Sequence, residues 1–336
     1  MTETSRDGLS SGSESAGAGY APAEGQGQLA WPAGSGENVN RASFPARAGR
    51  SLFALGWLTP AGAILGVLFI APMAYAIYLA FTNLELLGPT ASHFSFTGLA
   101  NVQRMVHDTV FWYSLKLTLV YVLISGVVAQ TALGLVLALL AQRAHFVVRT
   151  SVGAIVVLAW VIPEIAAAFM WFAFAQSGGL LSTLLGRPSD DLLAYSAFVV
   201  VCVANAWRGT AFSMLILSAG LRNVPQEVNE AAQLEGANYW RRLTRVTLPM
   251  IRPTIMTNMI LVTLGTLSDF TLVYAMTNGG PGNATAILPV YMYLQGFTFN
   301  QLGYATTLAL VLVILGALLS VFYIRQLRPE LRKAAK

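Results

Sequence analysis

Marked only as apolar or polar, the chain divides into long apolar runs separated by short polar connectors. Six runs, at 53–82, 111–142, 149–175, 192–221, 251–276 and 302–325, are long enough to cross a bilayer as helices, which takes about 20 residues each. A helix is the spanning form this pattern predicts, because it satisfies its own backbone hydrogen bonds where no water is available. The expected fold class is therefore all-α. A six-helix transmembrane domain covers 51–328, carries a polar insert at 223–249 and is followed by a short tail at 329–336. Residues 1–50 differ, being rich in Gly, Ser, Ala and Glu with no apolar period. Such a stretch buries too little surface to offset the entropy of ordering, so a disordered extension is predicted. The first apolar run starts too far from Met1, and lacks the small-residue cleavage pattern, for a signal peptide, so the first span is expected to be retained.

Composition sharpens the membrane reading. Of 336 residues, 55% are hydrophobic and 10% charged, with a mean hydropathy of +0.61; soluble domains are about 25% charged. With the N-terminus taken as inside, sixteen of the twenty Lys and Arg residues fall on one side of the predicted topology. Arg104, Lys116 and Arg187 fall on the other side, and Arg208 lies within a span. Positive charge in short loops stays cytoplasmic, so both termini and the insert are expected in the cytoplasm, with membrane lipid around the spans. The same asymmetry absorbs the net charge of +5 and the pI near 9.4, which call for no nucleic-acid partner. The single cysteine, Cys202, excludes an intrachain disulfide, and His93, His107 and His145 are scattered over connectors. No metal site and no catalytic group are expected.

The insert is the polar exception in an apolar chain. Between Glu230 and Pro249 it carries three arginines and two glutamates. Asn223, Pro225 and Gln226 read as a capped helix start, with Asn223 as the cap. Gly236 can supply the left-handed backbone that ends this helix. A second helix, NYWRRLTRV, follows and is expected to stop before Leu248 and Pro249. From physics alone the segment could be an amphipathic linker whose arginines face anionic headgroups.

The residue pattern adds a resemblance. Glu230-Ala231-Ala232, Gly236, Val246 and Leu248-Pro249 resemble the cytoplasmic signature of bacterial ATP-binding-cassette importer permeases, with Val246 where members usually have Ile. Beyond the fifth span, Thr277–Thr285 (TNGGPGNAT), Tyr291, Tyr293, Phe297 and Gly303-Tyr304-Ala305 look like the outer loop of the larger permease subunit in the maltose-type, carbohydrate-importing branch. The resemblance implies a permease in the bacterial cytoplasmic (inner) membrane that performs no covalent chemistry. It also implies a companion permease subunit, two ATPase subunits that bind ATP and Mg, and an extracytoplasmic solute-binding protein. The insert would dock on an ATPase, with Glu230, Ala231, Ala232, Gly236, Leu248 and Pro249 at the contact. The lysines, Lys116, Lys333 and Lys336, include no Gly-Lys pair, so this chain has no GxxxxGK[ST] phosphate loop of its own. An ion-coupled secondary transporter is the rival reading, and it leaves the Glu-Ala-Ala pattern unexplained.

Charged residues at membrane depth mark a solute path by default, because burying them costs about 2.5–3.5 kcal/mol on insertion scales. Glu164 follows Pro163 in the third span, Arg208 lies in the fourth and Asp269 in the fifth. Arg208 could also pair with Asp269 or Glu164 simply to hold helices together. Sugar recognition needs hydroxyl-matching polar groups and aromatic faces, which Asn205, Trp207, Gly209 and Phe212, then Thr266 and Phe270, supply beside those charges. In maltose-type relatives the sugar is held at positions matching roughly Asn205, Gly209, Thr266 and Asp269. The charged Asp269 and Arg208 also leave open a glycerol-phosphate or other polyol ligand, since a guanidinium suits a phosphate. Trp171 is expected to serve packing.

Overall fold

The computed structural model describes residues 59–334, with side chains through residue 327. The predicted disordered stretch 1–50 and the start of the first apolar run lie outside the described residues. The fold is that of the compact unit Ala61–Lys336. In chain order its principal helices are α1 (Thr59–Leu79), α2 (Ala100–His107), α3 (Thr109–Arg143), α4 (Phe146–Val161), α5 (Glu164–Ala175) and α6 (Leu192–Arg222). There follow α7 (Gln226–Leu234), α8 (Tyr239–Met250), α9 (Arg252–Leu267), α10 (Thr271–Thr277), α11 (Leu288–Tyr293) and α12 (Leu302–Ala334).

Four of them, α1, α3, α6 and α12, are long and apolar enough to cross a bilayer, α6 with a kink at Ser196 (φ −141°, ψ 32°). The other two predicted spans are interrupted. Over 149–175 the chain bends by 101° between α4 and α5. Pro163 is the cause: it has no N–H, and its ring pushes the preceding residue out of the helical region. Ile162 accordingly takes φ −56° and ψ 127°. Over 251–276, α9 ends at Leu267 and α10 begins at Thr271, so Ser268, Asp269 and Phe270 belong to neither helix. Up to six crossings result if the bent pairs α4–α5 and α8–α9 (67°) each count as one. At the C-terminus α12 continues to Ala334, so the expected tail at 329–336 is helix over most of its length.

Small residues let the helices approach closely, as they do where apolar lipid supplies no hydrophobic drive for association. A Cβ on Gly134 of α3 would lie 2.5 Å from the Ser213 Cβ of α6. The centre of the bundle is a buried cluster around Tyr121, Ala167, Ala168, Trp171, Val201, Leu272 and Val273. A second cluster of Ala138, Met214, Leu217, Leu221 and Ile251 closes the arginine-rich end. Trp171 packs edge-on to Trp207 at 5.9 Å, which matches the packing role expected for it. By contrast α1 buries only 6% of its span window and α12 only 11%, leaving long apolar faces for lipid or neighbouring helices.

Candidate functional site

The polar insert forms an elbow at the arginine-rich end. Asn223 is the C-cap of α6 (φ −80°, ψ −4°) and not the N-cap of α7, which starts behind Pro225 with no side-chain cap. Gln226 Nε2 instead donates to Glu230 Oε1, one turn on, at 2.7 Å. The end of α7 is as expected: Gly236 has φ +74°, and its N–H donates to the Gln233 carbonyl at 2.9 Å while that of Ala237 donates to Ala232 at 3.0 Å. Asn238 then opens α8, its Oδ1 accepting from the Arg241 N–H at 2.9 Å. The second helix does not stop before Leu248 and Pro249 but runs through them to Met250. A widened turn at Leu243–Thr247 precedes the proline and relieves its clash with the carbonyl four residues back. The bend falls at Ile251.

One face of the elbow is seated and the other is bare. Leu243 is buried beneath it, and the Arg143 guanidinium at the end of α3 lies 3.5 Å from the centroid of the Tyr239 ring, a cation–π contact. Glu230, Ala231, Gly236 and Pro249 are exposed, while Ala232 and Leu248 are half-buried. Leu234 is 91% exposed and Trp240 69%. Large apolar groups standing out among charges mark a surface built for contact.

The second site lies between α3, α4–α5, α6 and α9. A cavity of about 230 Å³ is lined by Asn205, Arg208, Gly209, Phe212, Thr266, Asp269 and Glu164, together with Gln130 and Trp160. Seven residues singled out by sequence therefore meet in one place. Phe270 stands apart, its ring 5.0 Å from that of Tyr274 and 4.8 Å from that of Tyr293. Arg208 pairs with Glu164, Nη1 to Oε1 at 2.8 Å. Asp269 is held differently: Tyr121 donates its phenol proton to Oδ2 at 2.5 Å, while Oδ1 is buried without a hydrogen-bond partner, as is Arg208 Nε. Asn205 Nδ2 donates to Ser125 Oγ at 2.7 Å, and Gln130 Nε2 donates to the Asn205 carbonyl at 3.2 Å. A Cβ at Gly209 would overlap the Gln130 amide, so glycine lets that side chain lie against α6. Trp160 and Phe212 stack with centroids 6.0 Å apart and give the cavity an apolar wall.

The sequence reading missed Gln130, Trp160 and Tyr121. Gln130, a lone amide within an apolar run, carried a usable signal. Trp160 and Tyr121 look like ordinary packing aromatics, and only their neighbours give them another role.

At the opposite end, Thr277–Thr285 forms a compact turn. Asn278 (φ +50°), Gly279 (φ +82°), Gly282 (φ +52°) and Asn283 (φ +70°) supply its left-handed positions, and Gly280-Pro281 is cis. Thr277 and Thr285 close its ends through their hydroxyls at 2.6 Å. Nearby, Asp108 caps α3, accepting from the Val110 N–H at 2.8 Å. It also accepts the Tyr291 hydroxyl at 2.5 Å and the Tyr304 hydroxyl at 2.6 Å. Burial pushes its carboxyl up, but these tyrosine and backbone donors outweigh that and hold it below the ordinary carboxylate value.

These features agree with what the chain is similar to. Residues 130–333 match the model of the family described as binding-protein-dependent transport system inner membrane component. The chain is 31% identical to the sulfoquinovosyl glycerol transport system permease protein SmoG of Agrobacterium fabrum, over 84% of this chain and 92% of that one. It is 30% identical to the diacetylchitobiose uptake system permease protein DasB of Streptomyces coelicolor, over 87% and 91%. Among solved structures, a chain of a bacterial ABC transporter that imports the acidic polysaccharide alginate superposes with a TM-score of 0.70 at 20% identity, covering 84% of this chain and 96% of that one, a likeness of fold. On these grounds the chain belongs to the family of binding-protein-dependent transport system inner membrane components, the membrane permeases of ABC importers.

Proposed function

We propose that this permease carries a sugar, a disaccharide or oligosaccharide, into the bacterial cytoplasm. A companion permease, two ATPase subunits and an extracytoplasmic solute-binding protein would complete the importer. ATP and Mg belong to the ATPase, and this chain performs no hydrolysis. The single observation that carries the reading is the cavity: hydroxyl-matching polar groups and a Trp160–Phe212 wall gathered among spanning helices. Relatives named for the uptake of sulfoquinovosyl glycerol and of diacetylchitobiose support a sugar.

The elbow Glu230–Pro249 is the coupling element in this reading. It faces the cytoplasm together with both termini, as the arginine count supports, and an ATPase grips Leu234, Trp240 and the Glu230-Ala231-Ala232 turn. ATP-driven closure shifts the spans between inward and outward forms only insofar as the two forms hold the elbow differently. The test is sugar-stimulated ATP hydrolysis and uptake by the assembled importer carrying Glu230→Lys with Gly236→Asp. At Gly236 any side chain is strained by the positive φ, and the lysine reverses the charge offered to the partner. Uptake is expected to fall to background while the assembly still inserts in the membrane. Normal ATP-driven uptake by the double variant would refute the coupling role.

A further inference from the structure

The charge of the cavity limits the class of ligand it can take. Among the described residues Arg208 is the one cationic group lining it, and that charge is already matched by Glu164 at 2.8 Å. Asp269 adds a second carboxylate with no cation of its own, since its Oδ2 takes a neutral phenol proton from Tyr121. With both carboxylates ionised the site carries one net negative charge; with Asp269 protonated it is neutral. In neither state does it offer an uncompensated cation. Arg208 keeps free N–H donors beside its contact with Glu164, but an anionic ligand there would set a third negative charge next to Glu164 and Asp269 against a single cation. Like charges crowded together at membrane depth are unfavourable, even with Arg208 and Glu164 partly exposed.

We propose that the cavity takes a polyhydroxyl ligand without negative charge and turns away acidic sugars and sugar phosphates. Asp269 is the residue that enforces the choice. Its Oδ1, buried and unpartnered, accepts a proton from a ligand hydroxyl or amino group. A buried acceptor left unmade is costly, so a ligand that donates here is favoured over one that presents another acceptor. The glycerol-phosphate ligand left open by the sequence is excluded on this ground. So are an acidic polysaccharide of the kind imported by the structural neighbour and a sulfonated sugar such as the one SmoG is named for, so this chain would differ from both in the charge of its ligand. The inference rests on the reading of the chain as a sugar permease.

The experiment is uptake by the complete importer of three sets of labelled probes: neutral disaccharides, amino-sugar disaccharides, and an anionic set of uronate disaccharides with glycerol 3-phosphate. Uptake confined to the neutral and amino sets is the expected result. Comparing Asp269→Asn with wild type, both served by the same binding protein, cancels that protein's own preference. The ratio of anionic to neutral uptake should rise at least tenfold in the variant. Tyr121→Phe, which keeps the carboxylate, should leave that ratio within about twofold of wild type. If Asp269→Asn does not assemble, Glu164→Gln, which frees the Arg208 charge, should raise the same ratio. Anionic uptake by wild type equal to the best neutral probe overturns the inference and leaves sugar import standing, as does an unchanged ratio in the variants. Uptake of no probe in any set overturns the sugar reading itself, and the inference with it.

Discussion

The elbow and the cavity are opposite kinds of site. On the elbow, Leu234 and Trp240 stand in the open, and Glu230 accepts from the neighbouring Gln226. In the cavity Asn205, Arg208 and Asp269 are tied to neighbouring side chains, glycine brings the helices within reach of each other, and among the described residues one buried carboxylate oxygen and one buried guanidinium nitrogen are left without a partner. The elbow is unfinished without a partner, and the cavity is finished apart from its ligand. Substitutions should therefore act on them differently. On the elbow they should remove transport and spare the fold, whereas in the cavity they should disturb both.

The largest effect that separates the two is Leu234→Ser. Full burial of a leucine against a partner contributes about 1.5–3 kcal/mol, so affinity of the permease for its ATPase should fall by about 10-fold or more, read from copurification and uptake. Thermal stability of the permease should stay unchanged, because Leu234 touches little of its own chain. A drop in stability would mean that the elbow is packed rather than waiting. Next in size is Gly209→Ala, whose Cβ meets the Gln130 amide. Overpacking of this kind costs about 1–3 kcal/mol, and both melting temperature and uptake should fall together. Gln130→Ala combined with it should restore part of the stability. The smallest effect on transport belongs to Asp108→Ala at the far end, where loss of the α3 cap alone costs about 1 kcal/mol of stability and the Tyr291 and Tyr304 hydroxyls lose their acceptor as well. Because the folded state holds the Asp108 carboxyl below its ordinary value, its contribution is present at neutral pH and is lost as the pH falls below the carboxylate range. The alanine variant should lack that part of the acid sensitivity.

The same contrast explains what could be read from the chain. The elbow depends on local pattern: Gly236 ends α7 in the left-handed region, and Glu230-Ala231-Ala232 sits on its last turns. Its errors are local too. Asn223 closed the helix before it instead of opening the next, and a widened turn carried α8 through Pro249. In the cavity, polar residues stood out against apolar runs, so Glu164, Asn205, Arg208, Thr266 and Asp269 were all visible as candidates. Of their pairings, Arg208 with Glu164 was one of two that the sequence left open, and Asp269 with Tyr121 was not visible. That Arg208 reaches Glu164 follows from the bend at Pro163, which aims the start of α5 at α6, and that Asp269 reaches Tyr121 follows from the break after Leu267. Both are consequences of three-dimensional crossing that no single stretch of sequence encodes.

The account stands or falls on whether the elbow is held by a cytoplasmic ATPase. Cys202, the single cysteine, is buried, so Leu234→Cys places one accessible thiol at the tip of α7. Thiol cross-linking in native membranes should yield a covalent product with a nucleotide-hydrolysing subunit, its yield changed by ATP, and a membrane-impermeant maleimide should label the thiol only after the membrane is opened. Labelling of intact cells from outside, or cross-linking to no such subunit, would contradict it.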